Sequence, residues 1–231
     1  MAKLTITRTD VEQTLATRDL VLPDYAAQEW VVTETFKHFP NNTDYYEVLL
    51  KVTLLNKLYS TSIRDVKSVA RNIVKKHIDA DLAIGKPEVV HKIAQVLHGD
   101  SQINHFSFAT KYCSFHQPKR YPIYDKEVYA VLDGLRKEFT DQPFSKKDIQ
   151  DKDWNEKKKD CGYNLYRKVY DSFMAHYGKA FKDMSYKHVD QYLWGSRKIA
   201  SLKPDDERIS ASNRKHYKNI AGNDLNKLMN K

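Results

Sequence analysis

The stretch "FSFATKYCSFHQPKRYPIYDKEVYAVL", residues 106–132, decides the fold. Pro122 pushes its entry, Arg120 and Tyr121, toward extended backbone. After it, "KEVYAVLDGL" reads as a helix with Val128, Val131, Leu132 and Leu135 on one face. Asp125 therefore stands at a helix N-cap, where an aspartate contributes about 1 kcal/mol, reason enough for an acid in that place. Upstream, "FATKYC" continues the helical pattern and carries Ser107 and Lys111 one turn apart on a shared face.

Working outward, helical spacing dominates from Pro23 onward. "PDYAAQEWVVTETFKHF" opens with a first-turn proline. "TDYYEVLLKVTLLNKLY" places Tyr45, Val48, Leu49, Val52, Leu55 and Tyr59 on one face, with Thr43 as the expected cap. "SIRDVKSVARNIVKKHI" turns Ile63, Val66, Val69, Ala70 and Ile73 inward and sets Arg64, Lys67, Arg71 and Lys75 opposite. "KPEVVHKIAQVLHG" reads as a further helix from Pro87 to a stop at Gly99. Later, Leu165, Val169, Phe173 and Tyr177 form a stripe, and "SYKHVDQYLWGSRK" starts at a Ser185 cap and ends near Gly195.

The expected class is all-α, a two-lobed helical bundle with a short strand or arm at the N-terminus. Its expected divisions are an arm over 1–22, a helical core over 23–139, a charged linker over 140–159 and C-terminal helices over 160–203 that pack back on the core. A basic tail follows over 204–231.

A formal net charge of +9, from 39 Lys and Arg against 30 Asp and Glu, favours a polyanionic partner. Fifteen Tyr and nine Phe mixed with these cations suit stacking on bases, although core filling accounts for most of them. Cys113 and Cys161 belong to no ligand-spaced cluster, so no metal site is expected, and they fit a reducing cytoplasm. No apolar run has the length of a signal peptide core or a membrane span. With no GxGxxG and no Walker sequence, neither nucleotide hydrolysis nor any cofactor is expected.

In the order of its features, the 104–135 region resembles the helix-hairpin-helix DNA glycosylases. In that superfamily a glycine hairpin leads into a Lys or Ser followed by Thr-Ala at a helix start. About 18 residues on, a Pro-x-x-Asp opens the next helix. Here Ser107, Phe108 and Ala109 take the first step and "YPIYD" the second, and Ser107 lies 18 residues before Asp125. Ile103 and His105 stand where the hairpin glycines would be.

The resemblance implies that Asp125 is the catalytic carboxylate, stabilising positive charge on the deoxyribose as the base leaves. It puts Ser107 where bifunctional members keep a Schiff-base lysine, so simple hydrolysis is expected, with Lys111 as a lyase candidate. Asn104, His105 and Ser107 become the phosphate contacts. Asn56, Tyr59 and Ser60 in "LLNKLYSTSIRDV" are the nearest equivalents of the group that fills the gap left by an extruded base. Tyr124 and Trp194 are candidates for the base pocket, in a cleft between lobes that Asp125 would face.

The expected function is thus that of a monomeric DNA N-glycosylase acting on a damaged, mismatched or modified base in double-stranded DNA. A binding protein on the same scaffold without chemistry, and an unrelated helical interaction protein, are the alternatives.

Overall fold

The computed structural model describes residues 4–141, 144–151 and 162–202, together with Asp206, Arg214, Lys218 and Ile220. In chain order the elements are α1 (Arg8–Val21), α2 (Pro23–His38), α3 (Tyr45–Leu58), α4 (Val66–Lys75), α5 (Asp79–Ala83) and α6 (Glu88–Ala94). A ribbon of β1 (Gln95–His98) and β2 (Ser101–Asn104) follows, then α7 (Phe106–His116) and α8 (Lys126–Phe139). The last described elements are α9 (Lys146–Ile149), α10 (Gly162–His176), α11 (Gly178–Phe181) and α12 (Tyr186–Ala200). Among the described residues the architecture is all-α apart from that one ribbon. Residues 152–161, Cys161 among them, and most of the tail after Leu202 lie outside the described residues.

The described chain falls into two compact units that interleave along the sequence. One comprises 1–27, 125–142 and 169–231; the other comprises 28–124 and 143–168.

In the first unit α1 packs on α11 and α12, and α12 packs on α8. Here the N-terminal arm expected over 1–22 is replaced by a helix. Thr7 and Asp10 form a reciprocal capping box, and Val11, Thr14, Arg18 and Val21 recur at helical spacing on the buried side. The helix expected to end near Gly195 runs on to Ala200. A Cβ at Gly195 would come within 3.2 Å of the Arg18 side chain, so α1 and α12 approach closely at that point. Val21, Leu22, Ile199, Leu202 and Ile220 form one of this unit's apolar clusters.

In the second unit α3 packs on α4, and α6 packs on α7. Asp44, rather than Thr43, caps α3, its carboxylate accepting from the Tyr46 and Glu47 N–H groups. Fully buried Lys51 closes the end of α2: its Nζ donates to the Phe39 and Asn41 carbonyls and to Asn42 Oδ1 at 2.7–2.9 Å. Burial lowers its pKa to about 8, partly opposed by Asp79 and Glu47.

The single helix expected from Pro87 to Gly99 is not formed. The α-helix stops at Ala94, and 95–104 is an antiparallel hairpin pairing Gln95 with Asn104 and His98 with Ser101. Gly99, at φ +60°, and Asp100 make its two-residue turn.

Candidate nucleic-acid interface

The stretch before Asp125 is extended backbone whose polar groups are answered one by one from side chains. The Tyr163 hydroxyl donates to the Pro122 carbonyl at 2.7 Å, and the Tyr166 hydroxyl to the Ile123 carbonyl at 2.8 Å. Ser107 Oγ donates to the Tyr124 carbonyl at 3.1 Å, and the Tyr124 N–H donates to Thr110 Oγ1 at 3.0 Å. Tyr121 turns its own hydroxyl to the Lys86 carbonyl at 3.0 Å. Phe106 and Tyr166 pack edge-on against the Tyr124 ring. A buried extended strand with no ladder partner must satisfy its backbone in some such way, and here four hydroxyls do it. The aromatics of "YPIY" and of α10 are therefore structural, which accounts for their number.

Two site candidates sit in this arrangement. Lys111 is only 6% exposed and its Nζ donates to Ser107 Oγ at 2.8 Å, so the Lys111–Ser107–Tyr124 contacts form a chain inside the unit. Asp125 follows Tyr124 and is the expected N-cap of α8, one carboxylate oxygen accepting the Glu127 N–H at 2.8 Å. Tyr124 itself is buried, its ring enclosed by Phe106 and Tyr166, a packing role rather than an open pocket wall. Trp194 lies in the other unit, edge-on to Tyr25 with Lys198 over its ring, packed beside Val21, Leu22 and Ile199.

The remaining candidates gather where loop 59–65 meets the ribbon. Asn56 is fully used in shaping that loop: its amide donates to the Ile63 carbonyl, and its oxygen accepts from the Ile63 N–H and the Thr61 hydroxyl, each at 2.9 Å. The loop is sharply turned, with Ser60 and Ser62 at φ 49° and 60°. Such left-handed serines carry strain that the Asn56 bonds help to hold. Tyr59 packs edge-on against Phe115, while Ser60 is exposed.

Between this loop, the start of α4 and the inner face of the ribbon lies a groove of about 270 Å³, lined by Ser62, Arg64, Asp65, Ser68, Val96, His98, Ile103 and His105. Asp65 caps α4 through Ser68, and those hydrogen bonds, with nearby His98 adding to them, hold its carboxyl below the usual range. Burial lowers the pKa of His105, which favours a neutral ring there. Beside the groove, Arg64, Lys67, Arg71 and Lys75 are all exposed, as the helical spacing predicts. Asn104 turns toward the Gln150 carbonyl at 3.4 Å.

The structure thus brings His105 together with groove residues that the sequence reading passed over, Ser68 and His98 among them. It places Ser60 on the loop that borders them, and Asn56 in the last turn of α3, bonded to that loop. The hydroxyl donors Tyr163 and Tyr166 were equally unflagged, because nothing local in "CGYNLYRK" says which carbonyls they meet. Among the described residues no helix is long and apolar enough to cross a membrane.

The HI_0787_N family model, described as an N-terminal domain, matches residues 10–120, which takes in the groove, the ribbon and α7 and stops before Asp125. An uncharacterized protein of Haemophilus influenzae is 30% identical over 176 residues, covering 76% of this chain and 74% of that protein. No solved structure matches. Identity at this level across three quarters of both sequences, together with the domain match, shows that the chain belongs to the HI_0787_N family.

Proposed function

We propose that this protein is a DNA N-glycosylase that hydrolyses the bond between a damaged, mismatched or modified base and its sugar, with Asp125 as the catalytic carboxylate. The observation that carries the reading is the hydroxyl-pinned segment 122–124, directly followed by Asp125 as the N-cap of α8, 18 residues along the chain from Ser107. In such a reaction the base leaves with the bonding electron pair, positive charge grows on the deoxyribose, and water adds at the sugar carbon. A carboxylate fixed by rigid backbone stabilises that charge without reorganising, the kind of electrostatic contribution that lowers such barriers most. Ser107 bonded to the Tyr124 carbonyl serves positioning, which fits a water nucleophile.

Lys111, close-packed against Ser107, offers an amine for a competing lyase step. Borohydride trapping reads this directly. A covalent adduct with DNA that disappears in Lys111→Ala would replace hydrolysis by lyase chemistry.

A second reading keeps the DNA and drops the chemistry. It is favoured by the ribbon, which stands where the glycine hairpin of the resembled superfamily would lie, and by the use of the Asp125 carboxylate as a cap. The two readings are separated by incubating the protein with duplexes bearing a panel of damaged and modified bases, followed by hot alkali. Asparagine caps helices as well as aspartate does, so Asp125→Asn keeps the fold while removing the charge. Strand cleavage that the Asp125→Asn variant loses supports the glycosylase. Salt-sensitive binding with no abasic product on any duplex supports the silent binder.

A further inference from the structure

The groove between loop 59–65, α4 and the ribbon does not end at its own walls. Arg64 and Ser68 line it, and Arg71 and Lys75 continue that stripe of α4 at helical spacing, with Lys67 alongside. Arg64, Lys67, Arg71 and Lys75 are exposed, and among the described residues none of the four makes an ion pair. Lys86 and Lys92 of the same unit, by contrast, both bridge Asp81. Arg71 is steadied over the Tyr45 ring, its Cζ 5.6 Å from the centroid. From 64 to 75 the row spans about 16 Å.

A row of cations fits any polyanion, and the groove at its head selects among them. At about 270 Å³ it falls just under the ~300–1,000 Å³ of small-molecule sites, which suits one small ring. One wall is apolar, made by the cross-strand partners Val96 and Ile103. The other is polar, with the Ser68 hydroxyl, the Arg64 guanidinium and the His98 ring 3.4 Å from the Asp65 carboxylate. His105 adds a half-buried ring without a hydrogen-bond partner among the described residues; neutral, it donates at one nitrogen and accepts at the other. Asp65, kept ionised by its Ser68 hydrogen bonds, opposes a phosphate inside the groove and favours a heterocycle bearing N–H groups. The ribbon's other face, with Leu97 exposed, takes no part.

We infer that the groove and α4 form a site for unpaired DNA. One base enters the groove with a face against Val96 and Ile103 and its edge toward the polar wall, while the strand's phosphates run along Arg64, Lys67, Arg71 and Lys75. Single-strand sites combine these two parts, a cationic track and places for individual bases. A base within a duplex is excluded, since its edge is paired and its faces are stacked. The inference rests on the reading of DNA as partner, narrows the form of DNA bound at this groove, and is independent of Asp125.

Fluorescence anisotropy with the full chain compares three probes: an oligothymidylate of about eight nucleotides, a stable hairpin duplex, and an abasic deoxyribose-phosphate chain as long as the first. The oligothymidylate is expected to bind about tenfold tighter than the abasic chain, and tighter than the duplex. Replacing two exposed cations, Lys67→Gln with Lys75→Gln, is expected to weaken the oligothymidylate and the abasic chain alike and to reduce the salt slope by about 0.7 per cation. Ile103→Trp, which fills the groove, is expected to bring the oligothymidylate down to the abasic level and leave the abasic chain unchanged. His105→Ala, which fills nothing, is expected to move the oligothymidylate the same way by about threefold, and it decides the matter if Ile103→Trp does not fold. Equal affinity for the oligothymidylate and the abasic chain, a preference for duplex over both, or a folded groove variant that binds like the wild type overturns the site while leaving DNA as the partner. Absence of binding to all three probes at low salt overturns both.

Discussion

Segment 121–124 and the ribbon 95–104 are two short extended pieces of the same unit, held in opposite ways. In the first, backbone carbonyls are met by hydroxyls reaching in from α7 and α10, and every side chain is buried. In the second, the backbone is satisfied by its own ladder, which frees one face for other contacts. The first arrangement fixes a position and tolerates little movement, as the proposed catalytic role of Asp125 requires. The second satisfies its backbone with no side chain from elsewhere in the fold.

The largest expected difference between them appears on acidification. His91 Nε2 accepts the Tyr163 N–H at 3.0 Å at the root of the pinned segment, and burial depresses its pKa to about 4. Burial, then the nearby Lys51 charge, depresses that of His116 to about 3. In the unfolded chain both rings take up protons near pH 6.5, so the unfolded state binds more protons below that value. Stability is therefore fully present above pH 6.5 and falls as pH drops toward 4, by several kcal/mol at about pH 4.5. Urea unfolding at stepped pH measures it. A midpoint that stays flat from pH 7 to 4.5 would refute the assignment.

Next in size, Tyr163→Phe or Thr110→Val leaves one buried backbone group of the segment without its partner, at a cost of about 1–3 kcal/mol each. Calorimetry should show a lowered Tm in both. If the proposed chemistry is right, activity should fall beyond what the lost folded fraction explains, since Asp125 would be less well placed. An unchanged Tm would mean that the hydroxyls are incidental.

Asn56→Ala should cost about 1–2 kcal/mol, because three hydrogen bonds of the loop end on that one amide. If the proposed DNA partner is right, it should also weaken that binding by loosening the groove wall. Asn56→Asp, which keeps an acceptor for the Ile63 N–H, should recover part of the stability. Smallest of all, Leu97→Gln on the ribbon should leave stability within about 0.5 kcal/mol of the wild type. A larger loss would show that Leu97 is packed rather than presented.

The legibility of these regions in the sequence differs for the same physical reason. Asp125 as a cap and the inward face of α8 could be read because both are local, a matter of proline, aspartate and period. The basic stripe of α4 could be read from period alone. The ribbon reads as helix in the sequence because "EVVHKIAQVLHG" keeps apolar residues at helical spacing into β1. The Gly-Asp pair between "QVLH" and "SQIN" is the hairpin signal that should have outweighed it. The N-terminal helix likewise carries its sign in Thr7-x-x-Asp10, a capping box over a segment otherwise poor in apolar residues. The hydroxyl contacts were out of reach, since Tyr163 and Tyr166 lie more than forty residues from the carbonyls they serve. No local pattern encodes such a pairing.

The pinning of 122–124 has a consequence for how this protein can change over time. What is grasped there is main chain, common to all residues, whereas what does the grasping is particular side chains. Ile123 can drift to other apolar residues without disturbing a single hydrogen bond to its carbonyl, but Tyr163, Tyr166, Thr110 and Ser107 cannot lose their oxygens. In a library of random variants selected for a folded chain, tolerance should be lowest at those four supporting positions and higher at Ile123, beside the acid itself.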